Sequence, residues 1–172
     1  YTRALARSMS HTKQVKAAAI LNNAFDSNFA GGDGKELCAT DHPLAGGGTF
    51  RNELATAADL NETSLENSLI DISTFVDERN MIIALRGTKL IVPTQLQFVA
   101  DRLLESTLRT GTADNDVNAI NNMGMLPEGY VVNNFLTDPD AFFIKTDTPN
   151  GFKHFERTPM STGMEADFDS GN

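Results

Sequence analysis

The chain has 172 residues, 40% of them apolar and 22% charged, with a formal charge of −9. That length holds one ordinary domain with a real core, and the composition excludes a disordered chain. No apolar run approaches the ~20 residues that cross a bilayer, and the opening residues lack the zones of a signal peptide. A single cysteine, Cys38, leaves no internal disulfide and fits folding in a reducing cytoplasm, so the sequon-like Asn61-Glu62-Thr63 reads as chance. Residues 1–26 carry Arg3, Arg7, Lys13 and Lys16 against Asp26 alone, a local +3 that leaves −12 on the remainder. Such a body repels nucleic acid, while the basic stretch suits a polyanion, an acidic neighbour or plain solvent.

The chain opens on Tyr1 with a helical pattern already running, and we expect it to be cut from something longer. Residues 2–26 contain no Gly or Pro and favour one helix with a broken stripe of small apolar side chains. Gly31-Gly32-Asp33-Gly34 is expected to end it. Residues 35–58 show no sustained period, and Pro43 with Gly46-Gly47-Gly48 predicts an extended surface loop. A second helix follows, capped by Asn61 or through a Thr63/Glu66 box, with Leu60 and Leu65 at staple spacing and Leu65, Leu69, Ile72 and Val76 as its buried face.

Residues 81–85 and 89–92 read as strands, the latter buried on both faces and stopped by Pro93. Thr94, with Gln97 at the box position, is expected to cap a third helix whose stripe is Leu96, Val99, Ala100, Leu103 and Leu104. The polar stretch 110–122 holds a short helix over 114–122 ended by Gly124. Strands at 130–136, 141–145 and 152–157 are set apart by Asp138-Pro139-Asp140 and Pro149-Asn150-Gly151. The sum is an α+β chain, with helices packed on a mixed or antiparallel sheet.

Reactive constellations are hard to assemble from these residues. Cys38-x-x-x-His42 is half of a zinc site at most, with His11 and His154 dispersed. Asp114, Asp116 and Asn118 imitate the start of a calcium loop, but Ala119 stands where glycine is required and Met125 where the closing carboxylate belongs. Asp26 and Asn28 fail sooner, and both sets read as turn and cap residues. Neither a phosphate-binding loop nor a nucleophile elbow is present, and Asp138 with Asp140 around Pro139 is more simply a turn than an acid–base pair. No catalytic residue, metal ligand or cofactor site is therefore assigned. Two other classes stay open on the residues alone: a hydrolase using that acidic pair, and a monomeric binding or adaptor module.

The segment Lys89-Leu-Ile-Val-Pro-Thr-Gln-Leu-Gln-Phe-Val-Ala-Asp-Arg-Leu-Leu-Glu-Ser106 resembles the strand, proline and helix of phage major capsid proteins of the Mu-like head-subunit type. Gly111-Thr-Ala-Asp-Asn-Asp-Val-Asn118, Phe135-Leu-Thr-Asp-Pro-Asp-Ala-Phe-Phe-Ile144 and Phe168-Asp-Ser-Gly-Asn172 resemble the same family in the same order. Leu21-Asn-Asn-Ala-Phe25, Asp33-Gly34, His42-Pro43 and Asp59-Leu60 fit upstream. The resemblance implies a capsid shell fold, with a spine helix in a peripheral domain (residues 1–34) and an axial domain (35–172). It also implies that an N-terminal arm, an extended loop and a C-terminal strand lie outside this sequence. The implied protein is no enzyme: it is the major head subunit of an icosahedral shell, built in the host bacterial cytoplasm and resident in the virion. Its partners would be copies of itself, with scaffold and portal proteins and packaged double-stranded DNA nearby, and no membrane. Subunits meeting around five- and six-fold axes need polar contacts that tolerate changed angles. The candidate interface is the loop bearing Arg109, Asp114, Asn115, Asp116, Asn118 and Asn122, with Arg109 set against Asp114 and Asp116 of a neighbour. Arg3, Arg7, Lys13 and Lys16 form a candidate inner-face basic helix.

Overall fold

A computed structural model describes residues 2–109, 116–149, 151–159, 161 and 163. Helix α1 (Thr2–Asn22) ends short of the predicted residue 26. Its last residue is occupied elsewhere: Asn22 Nδ2 donates to the Phe135 carbonyl and its Oδ1 accepts the Thr137 N–H, both at 3.0 Å. Past this pin, Ala24 is buried and Asp26 caps a 3₁₀ turn (Ser27–Phe29), accepting the Asn28 N–H at 2.9 Å. The glycine run therefore does not end the helix. It makes the next turn, where Gly34 takes a φ of 81° that an L side chain resists.

The predicted loop at 35–58 carries a small antiparallel ladder, β1 (His42–Pro43) on β2 (Thr49–Phe50), closed through the glycine triplet. Helix α2 (Glu62–Ser73) starts at Asn61, whose side chain accepts the Ser64 N–H while the Ser64 hydroxyl accepts the Asn61 N–H, each at 2.9 Å. Ser64, not Glu66, completes the box. Leu60, Leu65, Leu69 and Ile72 are buried as their spacing predicts, whereas Val76 lies beyond the helix and is half-buried.

Strand β3 (Gly87–Val92) is the middle of a three-stranded sheet. It runs parallel to β4 (Tyr130–Val132) and antiparallel to β5 (Phe143–Thr146). Leu90 and Val92 are fully buried, but Ile91 between them is only half-buried, so one face of the strand is more deeply covered than the other. A 3₁₀ turn (Thr94–Leu96) leads into α3 (Gln97–Glu105), which lays Ala100, Leu103 and Leu104 on that face. Thr94 does not cap α3: its hydroxyl donates to Asn134 Oδ1, and the turn starts from Pro93 instead. Helix α4 (Ala119–Met123) ends at Gly124 in the left-handed region, φ 60°. Ile120 and Leu126 close the core beside Leu69.

Two predicted strands have no ladder. Residues 81–85 make one isolated bridge, Ile82 to Val76, and Ala84 takes a φ of 49° that halts the extended run. Residues 152–157 form no strand, and Phe152 and Phe155 are exposed. The result is an α+β arrangement of helices on a mixed sheet, with a small antiparallel ladder beside it.

Candidate functional site

Possible chemistry concentrates around residues 33–53. His42 Nδ1 lies 2.6 Å from Asp33 Oδ2, and Nε2 lies 3.2 Å from Asn52 Oδ1. The Asn52 amide is held by its donation to the Leu37 carbonyl at 2.7 Å and by acceptance of the Ala39 N–H at 2.9 Å. Hydrogen bonding to His42, then to the Lys35 N–H, holds the Asp33 carboxyl below its usual value. Both ring nitrogens are thus engaged, neither with a hydroxyl or a thiol, and the group clasps the loop shut. Beside it, burial first and the Glu53 charge second push the Cys38 thiol up to about 11, which leaves it largely protonated and a poor nucleophile.

The acidic pair is a turn, since Asp138 Oδ1 accepts the Asp140 N–H at 3.0 Å. Among the described residues no group of three or more His, Cys, Asp or Glu is placed to hold a metal. Asp26 and Asn118, the calcium near misses, both serve as caps. Nor is any described helix long and apolar enough to cross a membrane.

The candidate interface loop divides. Asp114 and Asn115 lie outside the described residues. Arg109 Nε meets Glu62 Oε2 of its own chain at 2.8 Å, and its N–H donates to the Asp116 carbonyl at 2.9 Å. Asn118 requires a correction. It is 4% exposed, and its amide nitrogen donates to the Leu103 and Ser106 carbonyls at 2.8 and 2.9 Å while its oxygen caps α4. The last carbonyls of a helix have no partner within it. Asn118 supplies one to the end of α3, as does Asn121 to Leu104, so this side chain joins two helices and does not face a neighbour. Asp116 and Asn122 are exposed.

Arg3, Arg7, Lys13 and Lys16 all project from α1, whose residues 3–17 are exposed apart from half-buried Met9. Lys13 pairs with Glu156 at 3.2 Å. The His11 ring stands edge-on to Phe135 at 5.3 Å. The helix is therefore held chiefly at its C-terminal end, and a free helix of such length is marginal in water without a packed face.

The sequence reading missed a row of exposed apolar residues at 81–84, the one signal being the apolar run itself. Leu5, Ile20, Phe98, Met123 and Val131 are exposed elsewhere.

In comparisons with known proteins, neither the curated proteins nor the solved structures gave a match. A family model described as phage capsid protein matches residues 1–172. With that match spanning every element above, the chain belongs to the phage capsid protein family.

Proposed function

We propose that the chain is the major head subunit, of the Mu-like type, of an icosahedral phage shell, associating into pentamers and hexamers that enclose the genomic DNA. As a phage capsid protein it is a structural component of the virion that assembles with copies of itself. The finer reading adds host cytoplasmic assembly, scaffold and portal partners, a spine helix in residues 1–34 and an axial domain in 35–172. The observation that carries it is the family match over the whole chain. Support comes from α1, a long helix most of whose length is exposed.

Two placements complete the proposal. Arg3, Arg7, Lys13 and Lys16 face the interior, where packaged DNA or an acidic scaffold offsets their charge, and contacts of this kind weaken with salt. Asp116, Asn122 and Arg109 lie toward a symmetry axis, with the Arg109–Glu62 pair holding the loop in position. Electron microscopy and light scattering of the protein, expressed as its gene encodes it, test the reading. Closed shells, or rings that grow with concentration, are expected. A protein that stays monomeric at every concentration would refute it and favour the adaptor class.

A further inference from the structure

Residues 75–83 form a short two-stranded arm. The Ile83 N–H donates to the Phe75 carbonyl at 2.9 Å and the Asp77 N–H to the Met81 carbonyl at 2.8 Å, on either side of the Val76–Ile82 bridge. In an antiparallel pair with bonds so placed, the N–H and C=O of the middle residues point away from each other. Ile82 therefore presents its backbone groups on the open side of the arm. Its side chain is 68% exposed, and Met81, Ile83 and Ala84 are exposed too. Four exposed apolar residues in a row on an open strand edge form a template for pairing with another chain.

A complementary edge exists on the same molecule. The sheet order leaves β4 and β5 as outer strands. Strand β5 is guarded by Lys145 and a register break, features that discourage edge pairing. Strand β4 has no charge in Tyr130-Val131-Val132, and Val131 is exposed. Its flank is acidic: the Tyr130 hydroxyl donates to Asp101 at 3.1 Å, and Glu105 acts on the same hydroxyl. The apolar run 81–85 is bracketed near its ends by exposed Arg79 and Arg86, with Asp77 and Glu78 one step further out.

We propose that residues 81–83, extended between the positive-φ residues Asn80 and Ala84, add as a strand to the open edge of β4 in the next copy, with the flanking Arg79 and Arg86 set against Asp101 and Glu105. The contact is heterologous, and its repetition forms a ring wherever the rotation between copies closes. The inference rests on the capsid reading and names a surface through which copies meet. Its size fits that setting: a row of four part-exposed side chains offers far less than the ~800 Å² per partner of a stable dimer. Such a contact is weak alone and becomes strong when an array repeats it.

Assembly of the wild-type protein is compared with Ile82→Lys and Ile82→Val by light scattering across concentration and salt. Ile82→Lys should raise the concentration needed for assembly at least tenfold and Ile82→Val no more than about twofold, while salt weakens the wild type. Amide exchange at Ile82 and Val132, whose N–H groups face the two open edges, should slow at least tenfold in assemblies. In a Cys38→Ala background, Ile82→Cys with Val131→Cys should form a disulfide between copies. The last two measurements need no charged variant, so a misfolded Ile82→Lys would not decide the matter. Wild-type assembly with an unaffected Ile82→Lys and fast-exchanging Ile82 overturns this inference alone. A wild type that never assembles overturns the capsid reading as well.

Discussion

Replacing Asn118 by alanine should cost the fold about 2–3 kcal/mol, the sum of a lost helix cap near 1 kcal/mol and an orphaned buried carbonyl of about 1–2 kcal/mol. The cap is the oxygen that accepts the Ile120 N–H at 3.1 Å, and the orphan is the Leu103 carbonyl in the last turn of α3. The Ser106 carbonyl lies nearer the surface and can turn to water, which adds little. For a chain of this size the loss lowers Tm by roughly 5–10 °C and moves the urea midpoint by about 1 M. Asn118→Asp separates the two parts. It keeps the cap oxygen but sets a carboxylate against two carbonyls, so it should be at least as destabilising at neutral pH and recover as acid protonates the new carboxyl. Urea unfolding followed by far-UV circular dichroism reads both variants. If Asn118→Ala stays within about 0.5 kcal/mol of wild type, the side chain is not what joins the two helices.

Gly87→Ala should destabilise by about 1–2 kcal/mol in the same assay, because the added methyl would lie 2.7 Å from Leu69 Cδ2 and 3.0 Å from Ile144 Cγ2; an unchanged midpoint would show that the core there can yield. Cys38, with its thiol pushed from 9.0 to about 11, should alkylate about 100-fold more slowly than an unfolded control at pH 8, and comparable rates would contradict its burial. Glu128 is held below its ordinary 4.5 by hydrogen bonds to Lys89 and then Lys145. Its contribution is present above that ordinary value and lost as pH falls through the lowered one. NMR titration should place the carboxyl midpoint below 4.5, Glu128→Gln should remove this part of the acid dependence, and a midpoint at or above 4.5 would refute the pairing.

Local signals were legible where they sufficed by themselves. Asn61, Leu65 and Leu69 marked α2 because capping and spacing act within one turn, and Pro93 after Leu90-Ile91-Val92 marked the end of β3. What failed depended on distant partners. The apolar run at 81–85 has the propensity of a strand, but a strand needs a neighbour, and the chain offers it only the Val76 bridge. Helix α1 stops at Asn22 because residues 135–137 take that side chain, a contact no local pattern contains. In the candidate site, Asn118 was legible as a cap but was also placed in the interface loop because its neighbours are polar. Its burial comes from the carbonyls at the end of α3, just as Arg109 finds Glu62 across 47 residues of chain.

The pin at Asn22 also has a mechanical side. From the pin to Arg3 helix α1 runs roughly 28 Å at ~1.5 Å per residue, so a tilt of about 5° at the pin sweeps the far tip by about 2.5 Å. A lever anchored this way can swing its exposed end while the leucines beneath the sheet stay where they are.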